Sequence, residues 1–430
     1  MRPRLLLLLP TATYRARDFL AAAKRLHVDV TVASEEPSTL AALNPAGLLT
    51  LDFAKPEGAA RVTAAFAARH PIDAVIPVDD QATEAAAAIS RALGLRHNSV
   101  EAARAARDKS VLRDLLLRAG VPSPRHWNFR FEDDLAAAAR EVPYPCVLKP
   151  LALSGSRGVI RADGPEGFTA AAARIERILR GPPPAGPPGL SGRFLVEELI
   201  PGFEVALEGL VTRGQLEVLA LFDKPDPLDG PFFEETIYVT PSRLSAGVQA
   251  EIARTASAAA RALGLLDGPI HAELRVNERG PWVIEVAGRS IGGLCSRVLR
   301  FGTGLSLEEL IIRHALGDGA PPPVREAGSA GVLMIPTPRT GFLGETRGLE
   351  EARRVPGIEG ITITLGRGEE LVPLPEGSRY LGFIFARGGS PAEVEAALRE
   401  SHALIDFAVE ARPPLQQNEA ASTGPPDGGV

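Results

Sequence analysis

The sequence predicts a mixed α/β and α+β protein, with a parallel α/β domain at its N-terminus and a β-rich cap at its C-terminus. Over the first hundred residues, short apolar runs alternate with alanine-rich helical stretches, which is typical of a parallel sheet with crossover helices. From about Cys146 onward the pattern changes to strands and hairpins. The length of 430 residues suits about three packed units.

The N-terminal domain is predicted over residues 1–99. Its expected strands are RLLLLL, VDVTVA, LLTLDF and IDAVIPV, and the helices between them are RARDFLAAAKRL, GAARVTAAFAARH and QATEAAAAISRALG. The leucine run is too short for a secretory signal and is followed at once by Pro10, so we expect a buried first strand. A ligand would lie at the carboxyl ends of the strands, near residues 11–14 and 79–84. No glycine-rich dinucleotide fingerprint follows the first strand, which disfavours a nicotinamide cofactor.

The rest of the chain divides into a central domain, a cap and a tail. The central domain is predicted over residues 100–325, with a small lid subdomain at about 125–196. The proline-rich segment 180–192 is expected to be a surface insertion. A C-terminal β-rich domain is predicted over 326–411, and a disordered tail over 412–430.

The bulk composition excludes several classes of partner. The net charge is −6 and no block of like charge stands out, so neither nucleic acid nor an anionic membrane is an expected partner. No stretch approaches the ~20 apolar residues of a membrane span. With two cysteines, a disulfide framework is not expected and a reducing cytoplasm is the natural setting.

Lysine is scarce, which makes its positions informative. Of 47 basic residues, five are lysines: Lys24, Lys55, Lys109, Lys149 and Lys224. Lysine and arginine are nearly equivalent on a solvated surface, so a chain this rich in arginine is expected to keep lysine where a compact, flexible ammonium matters. We expect Lys24 and Lys55 to lie at the surface and the other three to have a function.

Two glutamates occur on consecutive predicted strands, in HAELRV and WVIEVAG. A five-residue loop over 277–281 would pair Val276 with Trp282. It would also place Glu273 directly opposite Glu285 on one face. Facing carboxylates repel unless a cation compensates them, and Mg²⁺ suits this ligand set. The alternative is a shifted register that points one glutamate to solvent.

A glycine-rich loop and an acidic hinge precede these strands. The loop follows Lys149 and comprises small residues whose free N–H groups can lie against phosphates: Ser154, Gly155, Ser156 and Gly158. Alone it is equally a flexible turn, but with Lys109 upstream it suggests a polyphosphate site. The hinge FLVEELIPGFEV offers backbone groups to an adenine edge and carboxylates to ribose hydroxyls, through Glu197, Glu198, Ile200 and Glu204. Any single acid here could instead lie on a solvated strand edge.

In this order the segments resemble the ATP-grasp superfamily over about residues 100–319. The E-x-A-x-R arrangement at Glu285, Ala287 and Arg289 and the H-x-E at His271 are similar to those of the L-amino-acid ligase branch. The resemblance implies the ATP-grasp fold, ATP as the nucleotide, and Mg²⁺, with Mn²⁺ as an alternative, on Glu273 and Glu285. Ala287 stands where many members carry an asparagine ligand, so one or two metal ions remain open.

The resemblance further implies an ADP-forming ligase that joins a small-molecule carboxylate to an amine through an acyl-phosphate, with an amino acid as substrate. Arg289 and His271 would be catalytic, although a structural histidine is an equal alternative. Substrate contacts are expected at Lys224, Glu234, Glu235, Gly292 and Gly293, although the acids could form a solvated turn. The oligomeric state stays open, with a homodimer as one alternative.

Two other functions compete with the ligase. A biotin-carboxylase-like enzyme would share the fold and the ATP site, but after Arg289 this chain reads SIGGLCS and lacks the Gln-Val-Glu of that family. A non-catalytic ATP-binding regulatory protein is disfavoured because both lysines, both glutamates and Arg289 are retained.

Overall fold

The structure is a computed structural model that describes residues 2–11, 13–40, 43–181, 190–318 and 323–411. Most of the predicted proline-rich insertion and the whole predicted tail lie outside the described residues. Within them, no helix is both long and apolar enough to cross a bilayer.

The N-terminal domain is the parallel α/β unit that the sequence predicts. Its elements are β1 (Arg4–Leu8), α1 (Ala16–Arg25), β2 (Asp29–Ser34), β3 (Leu48–Thr50), α2 (Pro56–Ala67), β4 (Ala74–Pro77) and α3 (Thr83–Leu93). The strands run parallel in the order β3-β2-β1-β4. The leucines at positions 5–8 are buried, as in a strand covered on both faces. The strand order reverses direction between β1 and β4, so a ligand crevice is expected at their carboxyl ends.

A small antiparallel sheet occupies the region where the sequence predicts a lid. After α4 (Val100–Arg107) and α5 (Lys109–Arg118), the elements are β5 (His126–Arg130), α6 (Leu135–Glu141), β6 (Cys146–Pro150), β7 (Ile160–Ala162), α7 (Pro165–Arg180) and β8 (Arg193–Glu198). The strand order is β5-β8-β6-β7. Phe129, Phe168 and Phe194 pack their rings together between the sheet and α7, which gives this subdomain its own core.

The remaining elements build a large antiparallel sheet and a smaller one. They are β9 (Phe203–Thr212), β10 (Gln215–Lys224), β11 (Ile237–Thr240), α8 (Ala246–Leu263), β12 (Gly268–Asn277), β13 (Gly280–Ala287), α9 (Leu307–Ala315), β14 (Ser329–Ile335), β15 (Gly341–Arg347), α10 (Leu349–Arg353), β16 (Ile358–Ile363), β17 (Glu370–Leu371), β18 (Gly382–Gly388), α11 (Pro391–Ala403) and β19 (Asp406–Glu410). The large sheet has the order β13-β12-β9-β10-β11-β14-β18-β16, and the small one β17-β15-β19.

The hairpin of β12 and β13 places Glu273 opposite Glu285, as predicted, but not by the predicted loop. The five-residue loop over 277–281 is wrong, because Asn277 pairs with Gly280 and leaves a two-residue turn. Ile284 is an extra, unpaired residue of β13 that lies opposite the step between Glu273 and Leu274 of β12. This β-bulge restores the pairing of Glu273 with Glu285.

The large sheet continues across the predicted domain boundary at residue 325. β11 pairs with β14, and Ile237 and Val239 pack in one cluster with Leu333 and Ile384. The C-terminal segment is therefore part of the sheet that carries the hairpin.

A chain that ends at residue 325 is expected to be insoluble, because β11 becomes an open edge and its buried apolar side chains face water. The soluble fraction after expression and size-exclusion chromatography measure this. A chain that ends at residue 411 is the matched control, since it keeps every described strand. A soluble, monomeric and cooperatively unfolding 1–325 chain would contradict the expectation.

Candidate functional site

A cleft of about 660 Å³ lies between the small sheet and the large sheet. It gathers charged residues and hinge backbone from distant parts of the chain: Lys109, Lys149, Glu197, Glu198, Ile200, Glu204, Glu235, Glu273, Arg275 and Glu285, with Ser154 and Ser156. The structure thus brings together most of the residues that the sequence nominates for nucleotide and metal.

The two predicted phosphate lysines enter the cleft from different elements. Lys109 begins α5, and the side chain of Asp108 caps this helix by accepting the N–H of Ser110 at 2.9 Å. The Lys109 Nζ donates to the Leu153 carbonyl at 2.9 Å and to Glu285 Oε1 at 3.0 Å. The Lys149 Nζ, at the end of β6, lies 2.8 Å from Glu197 Oε2. Each ammonium is therefore held in place by a carboxylate.

Glu197 is the most completely enclosed of the hinge acids. Arg113 donates from Nε to its Oε1 at 2.7 Å, and both side chains are almost fully buried. Burial would raise the pKa of Glu197, but the charges of Arg113 and Lys149 outweigh this and lower it to about 2. Sequence reasoning missed Arg113, although it stands four positions after Lys109 on the same helix and so on the same face.

At Ile200 the hinge has one backbone group that is free within the described structure and one that is occupied. The N–H of Ile200 makes no hydrogen bond to any described residue, and its carbonyl accepts Arg275 Nη1 at 2.8 Å. Glu198 is bound to Arg125 at 2.8 Å. Glu204, nominated for ribose, accepts from Lys224 and from Arg275, each at 2.8 Å. Its ribose contact remains a prediction.

Lys224 lies at the centre of an acidic cluster and is only 3% exposed. Its Nζ lies 2.8 Å from Glu204, 2.6 Å from Glu235 and 3.3 Å from Glu273. Burial disfavours the ammonium, yet these three acids hold the pKa of Lys224 well above its ordinary value. The three carboxylates offer oxygens within 4.8 Å of one another, so the cluster is a ligand set that a cation could also occupy.

The facing pair, Glu273 and Glu285, differs in its surroundings. Burial would raise the pKa of Glu285, but Lys109 outweighs it and lowers the value to about 2. For Glu273, burial raises the pKa and Lys224 opposes the rise. Two carboxylates on one face suit a hard divalent cation, so the residues present fit Mg²⁺. Ala287 ends β13 and offers no ligand atom.

His271 lies on the face of Glu273, as strand alternation predicts. Its Nε2 is 3.2 Å from Glu273 Oε1, and its Nδ1 is 3.6 Å from Oε2 of Glu208, the residue paired with it on β9. Glu208 was not foreseen from the sequence.

Arg289 lies in the loop that follows β13, which ends at Ala287. Its guanidinium binds Asp80 Oδ2 through Nε at 2.9 Å and Nη2 at 2.8 Å. Burial would lower the pKa of Arg289, but Asp80 and other acids raise it above its ordinary value. Asp80 stands just beyond β4, at the crevice that the sheet topology predicts.

The N-terminal domain also anchors the residues after Arg289. Arg15 donates from Nη1 to the Ser290 carbonyl at 3.3 Å and from Nη2 to the Ser290 hydroxyl. The Tyr14 hydroxyl accepts the N–H of Gly293 at 2.9 Å. Gly293 has φ +58°, and a Cβ there would lie 2.5 Å from Met334 Sδ, so a side chain is excluded without rearrangement.

The glycine-rich loop is held down by the C-terminal segment. The N–H of Gly158 donates to the Pro375 carbonyl at 2.9 Å, and Arg157 Nε to the Glu376 carbonyl at 2.7 Å. Arg174 on α7 binds the Glu376 carboxylate with two hydrogen bonds of 2.6 and 2.9 Å. We call these contacts of residues 375 and 376 the loop latch.

Glu234 lies outside the acidic cluster. It lines a neighbouring cavity of about 230 Å³ with Gly155, Thr337, Ser378 and Tyr380. Its carboxylate has no hydrogen-bond or ion-pair partner in the described part of the chain, and burial raises its pKa. This free carboxylate is suited to an ammonium group.

A larger cavity of about 800 Å³ lies between α3, α9 and the start of β12. Its walls are mainly alanine and other apolar residues. Its charged residues are paired: Arg96 with Asp267, Arg107 with Glu84, and Asp80 with Arg289. The two lysines and the facing glutamates line the smaller cleft, whereas Asp80, the partner of Arg289, lies in the wall of this larger cavity.

Family comparisons agree with this architecture. Residues 20–97 match the ATP-grasp N-terminal domain, residues 142–298 the ATP-grasp domain, and residues 333–410 the L-amino acid ligase C-terminal domain 2. The three matches follow in chain order and together span the hinge, the facing glutamates and the loop latch.

Individual relatives point the same way. Alanine–anticapsin ligase of Bacillus subtilis (strain 168) is 29% identical over 233 residues, which is 51% of this chain and 49% of that protein. Human carnosine synthase 1 is 27% identical over 73% of this chain and 39% of its own. The chain thus spans about half or less of the length of these relatives. The L-amino acid ligase of Bacillus licheniformis superposes with a TM-score of 0.81 at 26% identity, covering 95% of this chain and 99% of that one.

Lys149→Ala is expected to weaken nucleotide binding by about 10- to 100-fold, because a charge-assisted contact is lost. Titration with a fluorescent ATP analogue measures the dissociation constant. Lys55→Ala is the control, since Lys55 pairs with Asp52 at the surface. Equal, small changes in both variants would remove Lys149 from the binding site.

Acid titration tests the buried Glu197. Its pKa is lowered from 4.5 to about 2 in the folded state, so it stabilises the fold above about pH 4.5. That stability, about 3 kcal/mol, is lost as the pH falls towards 2. Glu197→Gln should flatten the pH dependence of the urea-unfolding free energy between pH 5 and about 3, whereas the exposed Glu166→Gln should not. An unchanged slope in Glu197→Gln would contradict the assignment.

Proposed function

Because this chain combines an ATP-grasp domain with an L-amino acid ligase C-terminal domain, we propose that it is an ATP-dependent carboxylate–amine ligase. It would form an amide or peptide bond, with an amino acid among its substrates, and release ADP and phosphate. The observation that carries the proposal is the convergence of Lys109, Lys149 and the facing Glu273 and Glu285 in one cleft, with Arg289 nearby. The names of the relatives support the reaction class.

The nucleotide would lie along the cleft. Lys109, Lys149 and the loop over 154–158 would neutralise its phosphates, and the unbonded N–H of Ile200 would meet the adenine edge. Glu204 is the nearest candidate for the ribose. Glu273 and Glu285 would hold Mg²⁺, or Mn²⁺, which when bound neutralises phosphate charge and favours phosphoryl transfer.

The acyl donor's carboxylate attacks the γ-phosphorus, giving an acyl-phosphate and ADP. The amine of the second substrate then attacks the acyl carbon and expels phosphate. The planar fork of Arg289 suits a carboxylate or phosphoryl group, and His271 would orient the substrate or accept the amine proton. The unpartnered Glu234 is suited to an α-ammonium. The loop latch closes the glycine-rich loop, which helps to exclude water from the acyl-phosphate.

ADP and phosphate release, measured across amino acids singly and in pairs, tests the proposal. We expect fast turnover only with a productive pair, with an amide detected by mass spectrometry. Glu285→Gln should lower this turnover by at least about 100-fold, because one charge of the metal pair is lost.

Glu278→Gln is the matched control, because Glu278 is exposed in the turn of the same hairpin. Bicarbonate-dependent turnover without an amine would favour the carboxylase, and AMP as product would exclude an acyl-phosphate ligase. ATP binding with no turnover for any pair would favour the regulatory protein.

A further inference from the structure

Glu208 is a completely buried carboxylate beneath the loop that follows Arg289. It lies on β9, between β12 and β10, and its residue is 0% exposed. Its Oε2 accepts the N–H of Ile291 at 2.9 Å and lies 3.6 Å from His271 Nδ1. One carboxylate therefore touches both the loop of Arg289 and the histidine beside Glu273.

This arrangement is costly for the fold. Within the described residues, the buried Glu208 Oε1 lacks a hydrogen-bond partner. The buried His271 Nδ1 also has none within hydrogen-bond distance, and its contact with Glu208 Oε2 at 3.6 Å is electrostatic. A buried carboxylate without full hydrogen bonding destabilises the folded state, and a single backbone N–H could be satisfied by a neutral amide. Unsatisfied buried groups that persist are concentrated at functional sites.

The other buried acids of the sheet are compensated differently. Glu204 contacts Lys224 and Arg275, and Asp223 accepts Arg243 Nε at 2.8 Å. In the described structure, no lysine or arginine lies within ion-pair distance of Glu208. His271 lies 3.6 Å away, and Arg15 acts on the carboxylate only from a greater distance. Stability of the sheet alone therefore does not account for a carboxylate at this position.

Glu208 completes a row of contacts that holds four of the five residues of the loop 289–293. Asp80 holds Arg289, Arg15 holds Ser290, Glu208 holds Ile291, and the Tyr14 hydroxyl holds Gly293. Asp80, Arg15 and Tyr14 come from the N-terminal domain. Glu208 alone in this row comes from the sheet that carries the facing glutamates.

We propose that Glu208 is a positioning residue that ties the loop of residues 289–293 to His271 and thereby sets Arg289 relative to the sheet of Glu273. The inference deepens the proposed function, since the loop and His271 are where that function places the carboxylate substrate. Glu208 itself touches neither nucleotide nor substrate. Under this proposal the side chain must be long enough for its oxygen to accept the N–H of Ile291, and we call this length its reach.

Two variants separate reach from charge. Glu208→Gln keeps the reach, and its amide oxygen can still accept the Ile291 N–H. Glu208→Asp keeps the charge but withdraws it by one methylene. Hydrogen exchange of the backbone amides over residues 288–294 should be about 10-fold faster in Glu208→Asp than in the unsubstituted protein, because the contact with Ile291 is lost. In Glu208→Gln the exchange rate should stay close to that of the unsubstituted protein.

Kinetics give a second readout. Glu208→Asp should lower kcat/KM for the carboxylate substrate by about 10-fold or more while the nucleotide dissociation constant stays within about twofold, and Glu208→Gln should lose less. Asp223→Asn is the matched control, because Asp223 is also fully buried with one unpartnered oxygen, but its partner lies away from the loop. It should alter thermal stability without changing exchange in the loop.

Unchanged loop exchange in Glu208→Asp overturns the proposal, as does faster exchange in Glu208→Gln than in Glu208→Asp. The same loop exchange in Asp223→Asn as in Glu208→Asp also overturns it, because general destabilisation would then explain both. The exchange measurement needs no turnover, so it decides the role of Glu208 even if no substrate pair is active and the ligase proposal fails.

Discussion

The cleft depends on the neutralisation of carboxylates that the sheet forces together. Glu204, Glu273 and Glu285 converge on one face, where uncompensated negative charges would repel each other in a medium of low dielectric constant. Lys109 and Lys224 reach into the cluster and pair with them. Such buried ion pairs add little to stability compared with apolar packing. They instead fix the positions of Lys109 and Lys224 in the cleft, and Lys109 is one of the two lysines proposed to bind the phosphates.

Those cations arrive on elements that are far apart in the chain, so the site exists only when the domains are assembled. Lys109 comes from a helix between two domains and Lys149 from the small sheet, whereas Arg289 is held by Asp80 of the N-terminal domain. The C-terminal segment contributes the loop latch at residues 375 and 376. The assembled domains thus hold the charged groups in position before a ligand binds, and such preorganisation limits the rearrangement that a reaction requires.

The sequence predicted the secondary-structure elements well, but it predicted few of the side-chain contacts between residues that are distant in the chain. The strands and helices of the first domain followed from alternating apolar and alanine-rich runs, because that signal is local. The positions of Lys109 and Lys149 followed from the scarcity of lysine. Arg113 lies four positions after Lys109, but this spacing does not show that it binds Glu197, because that contact depends on which carboxylate faces it after folding.

Glu208 was missed for a related reason, since nothing in VALEGLV distinguishes a buried acid from one on a solvated face. The contacts of the N-terminal domain with the loop after β13 were predicted only in part. The crevice between β1 and β4 was expected from topology, yet topology does not say that Asp80 would hold Arg289 and Tyr14 would hold Gly293.

The bulge in the hairpin of β12 and β13 has a consequence for how this region tolerates changes in length. The two-residue turn can gain residues without altering which strand positions face each other, because the added chain lies beyond the last pair. Within the strand the tolerance is different. The loss of Ile284 would remove the bulge but leave Val283 opposite Leu274 and Glu285 opposite Glu273 in a regular ladder. One further unpaired residue between Val283 and Glu285 would instead turn Glu285 to the opposite face, unless the bulge widened to hold it. A gap in an alignment of this hairpin therefore has meaning only when it is placed against the hydrogen-bonded register.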